Sequence, residues 1–295
     1  MIRKVFAGII LGTFVGAAIF MAVKNNPAMQ SVDKLQVAVS FYPLEDFSRQ
    51  IGGDKVRVIN LTAPGAEPHD YEPPARDLAK AHKTAVFVYN GNNFEPWTTG
   101  FLQDYKGIAV RSGDGVKLLE GRDPHFWLDP VLAEKIVVTI RNGLIEADTV
   151  HQDIYKANAD AYIAKLKTLD AEFRNGLASC EQRTIVSSHD AFGYLAQRYN
   201  FEVLPIAGIS PEAEPAPDRL ANLTTAIKDK GIRYVFFEGL VSPRLADTIA
   251  RETGASTLVL DPIEGISNED QKQGKDYIAV QRENLANLRR ALACH

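Results

Sequence analysis

Six histidines lie in the sequence, and three of them share a setting that suits metal coordination. His69 sits in Pro64-Gly65-Ala66-Glu67-Pro68-His69-Asp70-Tyr71-Glu72-Pro73 and His125 in Asp123-Pro124-His125-Phe126-Trp127-Leu128-Asp129-Pro130. His189 sits in Ser187-Ser188-His189-Asp190-Ala191-Phe192. Each falls in a connection, and two are bracketed by prolines, which fix φ and disfavour helix at the preceding residue. A loop restrained in this way loses less entropy when it orders around a ligand. A fourth candidate, Asp261, follows the strand-like run 258–260 and precedes Pro262. In open parallel sheets ligands bind beyond the carboxyl ends of strands, where His189 and Asp261 both fall. Three imidazoles and one carboxylate make a donor set that zinc accepts in a tetrahedron. Spacing alone does not bring residues so far apart in the chain together, and a lone loop histidine is commonly an ordinary hydrogen-bonded residue.

The remaining histidines have plainer readings. His82 ends a surface helix, where a cation favours the helix dipole. His151 opens a long helix on its solvated side, and His295 is the terminal residue. Glu67 has no clear role. Glu238 follows a strand-like run and is either an alternative metal ligand or a carboxylate that holds a ligating imidazole from behind.

The elements that must position these residues alternate. Strands are expected at 35–40, 56–61, 85–89, 184–187, 201–204, 234–237 and 257–260, with helices at 44–51, 75–82, 220–230 and 244–253 and a last one at 276–292. Strands alternating with helices imply parallel α/β sheets. Between the two sets, Val150, Ile154, Ala157, Ala161, Leu166, Leu169, Phe173 and Leu177 recur mostly every three or four residues. That is the apolar stripe of one helix, about 40 Å long at roughly 1.5 Å per residue. It suits a lobe–helix–lobe chain, in which a single rigid crossing limits lobe movement. Residues 1–30 form a signal or anchor, 33–147 the first lobe, 148–179 the linking helix and 181–295 the second lobe.

Composition narrows the classes. With 45% hydrophobic and 24% charged residues the 295-residue chain buries a large core or two smaller ones, and its net charge of −4 argues against nucleic-acid binding. Arg3 and Lys4 precede an apolar run from Val5 to Val23, the pattern of an export signal. The run nearly reaches the roughly 20 residues that cross a bilayer, so retention as an anchor is the alternative to cleavage. Export to a periplasmic or other extracytoplasmic compartment places Cys180 and Cys294 where an even cysteine count suggests a disulfide. Metal ligation by the pair is the competing reading, which would leave the three histidine loops without a role.

Taken together, these segments resemble the cluster A-I substrate-binding proteins of ABC transporters, the ZnuA-like or TroA-like group that binds zinc or manganese. The resemblance runs from about Leu35 to the carboxyl terminus. It is carried by Phe41-Tyr42-Pro43-Leu44, the three histidine segments above, Ser242-Pro243, Glu252-Thr253-Gly254-Ala255 and Leu260-Asp261-Pro262. It implies two α/β lobes joined by one long rigid helix, with the metal in the cleft: His69 and His125 from the first lobe, His189 and Asp261 from the second. It also implies a monomeric receptor whose partners are Zn2+, or alternatively Mn2+, and an ABC transporter permease. One departure bears on the metal. Residues 111–122 contain no histidine, whereas many zinc-binding members carry a His-rich acidic loop there. Against that, the third position is His189, where manganese-type members often have Glu, and a carboxylate suits manganese better. A metallohydrolase with Asp261 or Glu238 as base is the competing class, but no HExxH or similar motif appears. An adhesin reading finds no specific feature.

Overall fold

In the first half of the chain, β1 (Leu35–Val39), β2 (Val56–Asn60), β3 (Val86–Tyr89) and β4 (Ile108–Arg111) alternate with α1 (Tyr42–Gly52), α2 (Ala75–Ala81), α3 (Thr98–Asp104) and α4 (Pro130–Ala147). A long helix, α5 (Gln152–Gly176), follows. The second half repeats the alternation with β5 (Thr184–Ser187), α6 (Gly193–Tyr199), β6 (Glu202–Pro205), α7 (Pro217–Asp229), β7 (Tyr234–Phe237), α8 (Arg244–Thr253), β8 (Ser256–Val259), α9 (Asn268–Lys272) and α10 (Tyr277–Ala291). The computed structural model describes residues 34–119, 123–240 and 242–295. The amino-terminal signal or anchor segment and the end of the 111–122 stretch therefore lie outside the described residues. No described helix is long and apolar enough to cross a membrane.

Each lobe holds one four-stranded, all-parallel sheet, and both have the same order: β2-β1-β3-β4 and β6-β5-β7-β8. Parallel strands need helical crossovers that cover both faces, which is why β3 reads as a continuous apolar run. Val37, Ala38, Val39, Val86, Phe87 and Val88 are all fully buried. One apolar cluster runs from the inner face of the first sheet through α5 to the second lobe, and includes Phe47, Trp127, Tyr155, Leu169, Phe173, Phe192 and Tyr277.

The sequence names no element at 98–104, 108–111, 130–147 or 193–199, yet the structure has one at each. The largest is α4. Asp129 caps it by accepting Val131 N–H at 2.8 Å, and Pro130 sits at the first helical position, where its missing N–H costs nothing. Its centre, Ile136-Val137-Val138-Thr139-Ile140, is β-branched throughout and lowers local helix propensity. Packing of Ala133, Ile136, Val137, Ile140 and Leu144 into the core overrides that.

The linking helix is shorter than expected and its first half is rotated, while Leu166, Leu169, Phe173 and Leu177 are buried as expected. A 3-10 turn, Thr149–His151, precedes α5, and Asp148 caps it. Val150 is 85% exposed and Ile154 39% exposed, and Ala157 and Ala161 also face solvent. The buried face is Tyr155, Ala159, Tyr162, Leu166, Leu169 and Phe173. The tyrosines take the face because each hydroxyl reaches a carboxylate, Tyr155 to Asp148 at 2.8 Å and Tyr162 to Asp46 at 2.9 Å. Buried phenols need such a partner.

Cys180, just beyond α5, is disulfide-bonded to Cys294, just beyond α10. His295 N–H donates to Ser179 O at 3.0 Å and its imidazole reaches Glu181, so the carboxyl terminus is tied to the end of the linking helix. His82 caps α2 and lies on Phe101, with ring centroids 4.3 Å apart. His151 pairs with Asp148 at 2.6 Å.

Candidate metal centre

The loops that leave the carboxyl ends of β2, β4, β5 and β8 converge. His69 stands between β2 and α2, where the Glu67 carboxylate accepts His69 N–H at 3.1 Å and Phe94 lies edge-on to the imidazole, centroids 4.6 Å apart. His125 stands between β4 and α4. One oxygen of Asp123 accepts both its backbone N–H, at 2.9 Å, and its Nδ1–H, at 2.7 Å. Asn90 donates to Pro124 O at 3.0 Å, and the Asn90 loop is itself fastened to Glu95, whose buried carboxylate accepts Asn90 N–H, Gly91 N–H and the Ser40 hydroxyl. Burial pushes the Glu95 carboxyl up to about 7.

His189 follows β5 closely, and Glu238 follows β7. Because β5 and β7 are neighbours, paired at Val186 and Val235, the two side chains meet, and His189 Nδ1 lies 2.5 Å from Glu238 Oε1. Ser188 Oγ donates to the same carboxylate. Glu238 thus holds a histidine from behind and is not among the converging donors.

The carboxylate that faces the three imidazoles is Glu264, which corrects the expectation of Asp261. After β8 the chain turns before it reaches the cluster. Asp261 Oδ1 accepts Ile263 N–H at 2.7 Å, and Asn284 of α10 brackets the Asp261 backbone, accepting its N–H at 2.8 Å and donating to its carbonyl at 2.7 Å. Ile263 adopts φ +58°, a left-handed conformation that β-branched residues rarely accept. This turn swings Glu264 inward and leaves Asp261 serving the turn itself, its carboxyl lifted by burial to about 7. A sequence signal existed: Glu264 is a lone charge between Ile263 and Gly265 in an otherwise apolar stretch.

Five donor–donor separations are short. His69 Nε2 lies 3.1 Å from His125 Nε2 and 3.2 Å from Glu264 Oε1. His125 Nε2 lies 3.1 Å from Glu264 Oε1 and 3.3 Å from His189 Nε2, which is itself 3.3 Å from Glu264 Oε1. All four donors are within 4.8 Å of one another. A tetrahedron with zinc–ligand bonds of about 2.0–2.1 Å has edges of about 3.3–3.4 Å. His125 and His189 are fully buried and Glu264 is 2% exposed.

The hydrogen-bond roles give the cluster its chemistry. Asp123 and Glu238 take the Nδ1 protons of His125 and His189, which leaves both Nε2 atoms as lone pairs directed at each other and at a carboxylate oxygen. Neutral imidazoles cannot satisfy that arrangement among themselves; a cation or an added proton can. The electrostatics agree. Burial opposes charge on His189 and His125, but the carboxylates around them outweigh it and raise both pKa values. Burial likewise opposes ionisation of Glu264, yet His189 and the other imidazoles hold it well below the usual carboxylate range. His69, desolvated more than it is compensated, is lowered. Burial, reinforced by the Glu264 charge, pushes Glu67 up to about 8.

Comparison with known proteins points the same way. The family model described as zinc-uptake complex component A, periplasmic (ZnuA), matches residues 37–291. The high-affinity zinc uptake system protein ZnuA of Bacillus subtilis strain 168 is 36% identical over 95% of this chain and 97% of its own length. The zinc-binding lipoprotein AdcA of Streptococcus pneumoniae R6 is 38% identical over 92% of this chain, which spans only 58% of that longer protein. The crystal structure of the Zn(II)-bound ZnuA-like domain of Streptococcus pneumoniae AdcA matches with a TM-score of 0.79 and 39% identity, covering 88% of this chain and 99% of that one.

Proposed function

The chain belongs to the ZnuA family, and we propose that it is the extracytoplasmic receptor of an ABC importer, capturing zinc with His69, His125, His189 and Glu264 and presenting it to a membrane permease. The observation that carries this reading is the pair of Nε2 lone pairs on His125 and His189, fixed by carboxylates behind them and facing Glu264 across about the edge of a zinc tetrahedron. The names of the relatives, a zinc uptake protein and a zinc-binding lipoprotein, support the same metal. Three nitrogen donors favour zinc over manganese, which prefers oxygen. Four protein donors leave a tetrahedral ion no open position for an activated water, so the reading is capture and release without catalysis. The basic flank and apolar run at the amino terminus support export, by a cleaved signal or a retained anchor. In this reading residues 33–147 and 181–295 are the two metal-binding lobes, joined by the helix within 148–179.

The test is metal binding by purified, metal-stripped protein, measured by competition against a calibrated chelator. One zinc per chain is expected, with manganese displaced by zinc. Glu264→Gln should weaken zinc binding far more than Asp261→Asn, whose amide oxygen can still accept Ile263 N–H. Equal losses in the two variants would contradict the donor set.

A further inference from the structure

Trp127 lies two residues after His125, and its indole is fully buried at the seam between the lobes. Its Nε1–H donates across that seam to the carbonyl of Pro262 at 2.8 Å, in the turn that delivers Glu264. The same ring packs on the His125 imidazole, centroids 5.1 Å apart, and on Phe94 at 5.1 Å. Phe94 in turn lies against His69. One side chain therefore bears on three of the four donors, drawn from both lobes.

The backbone around Trp127 is fixed as well. Tyr277 Oη donates to Trp127 O at 2.5 Å, and Gln281 Nε2 donates to Leu128 O at 2.9 Å, both from α10. Apart from the Glu264 carboxylate's approach to the imidazoles, the hydrogen bonds that hold this turn among the described residues come from its own lobe, Asn284 on Asp261 and Asp261 on Ile263. A left-handed isoleucine persists only where its surroundings over-determine it. The indole bond to Pro262 ties the backbone of this turn to the lobe that carries His69 and His125.

Building on the zinc-receptor reading, we propose that Trp127 is the positioning residue that sets metal preference, its N–H fixing Glu264 relative to His125 and His69. Zinc benefits most from four donors already at tetrahedral spacing. Manganese accepts more oxygen ligands and water, and so gains less from that spacing. Loosening the Glu264 turn should admit water to the ion and erode the preference for zinc while leaving every donor in place.

The experiment measures zinc and manganese affinity, and the visible spectrum of the Co2+-loaded protein, for the wild type and Trp127→Phe. Co2+ absorbs strongly when four-coordinate and weakly when water expands its shell. Expected for the variant are a zinc affinity lower by roughly ten- to hundredfold, a manganese affinity that changes little, and a weakened Co2+ band. Parallel loss of both metals with the Co2+ band intact would reduce Trp127 to packing, and unchanged values would remove its role altogether. If Trp127→Phe does not fold, benzothienylalanine at position 127 in a Trp97→Phe background keeps the ring shape and deletes only the N–H, and the same readouts decide. A wild type without one tight zinc and a four-coordinate Co2+ spectrum overturns the receptor reading itself, and this proposal with it.

Discussion

The two lobes share a strand order but hold their metal-facing side chains by different means. In the first lobe the support is local. Glu67-Pro68-His69 and Asp123-Pro124-His125 are the same device, an acid two residues before the histidine whose carboxylate accepts the histidine's own N–H, with proline stiffening the step between. In the second lobe the support is remote. His189 is held by Glu238, 49 residues away on the neighbouring strand's end, and Glu264 by a turn that Asn284 grips from α10. The linking helix meets the lobes with a similar asymmetry. Tyr162 donates to Asp46, a carboxylate with no cation in contact among the described residues, whereas Tyr199 of the second lobe donates to Asp170, which Arg174 pairs at 2.9 Å. Local support is written in adjacent letters, while remote support exists only once the strands have found their order.

If both lobes contribute equally to one site, His125→Ala and His189→Ala should each reduce zinc affinity by more than the roughly 10- to 100-fold typical of losing an outer partner. Chelator competition reads this directly, and a variant that retained wild-type affinity would leave one lobe without a share in the metal. The next effect bears on stability and on the second lobe alone. Cys294→Ser should lower the unfolding free energy by about 2–5 kcal/mol in denaturant titrations, with zinc affinity unchanged, because the bridge closes a span of 114 residues at the end of the linking helix.

The Asp46 contact to the linking helix predicts a pH effect. Burial raises the carboxyl of Asp46 from its ordinary 3.8 to about 6. A raised folded value means that the native state binds the proton more tightly. Its stabilising contribution is complete below about pH 4 and is lost as pH rises through about 6. Relative to wild type, Asp46→Asn should therefore gain on the order of 3 kcal/mol between about pH 4 and pH 8. Parallel stability profiles for the two proteins would contradict the buried-charge account. The smallest effect separates local from remote support. Asp123→Asn and Glu238→Gln should each cost zinc affinity roughly 10- to 100-fold. A much smaller loss for Asp123→Asn would mean that the acid-proline-histidine step only shapes the loop.

The same division explains what could be read before folding. The three histidine segments were visible because their cues are contiguous, and β3 because a strand covered on both faces is apolar throughout. Glu264 carries a weaker cue, a lone charge in an apolar stretch, and strand-end placement outweighs it. Strand-end placement points to the first carboxylate after β8, and only the left-handed turn at Ile263 carries the chain three residues further before a side chain reaches the cluster. The pairing of His189 with Glu238 depends on β5 and β7 being neighbours, a fact of topology. The amino-terminal half of α5 departs from the aliphatic stripe because Tyr155 and Tyr162, polar at the tip, occupy the core there, while Leu166, Leu169 and Phe173 are buried as expected. The helix α4 hid behind its β-branched centre.

Enclosure of the four donors bears on time. The side chains of His125 and His189 have no accessible surface, Glu264 retains 2% and His69 7%. An ion seated among them cannot be approached by a competing chelator while the loops are down, so its departure waits on a local opening, and the most accessible donor places that opening at the proline-framed loop of His69. The off-rate then becomes independent of chelator concentration once opening is limiting. In the proposed receptor role, that enclosure would hold the ion between capture and release, with release at a pace set by the opening of that loop.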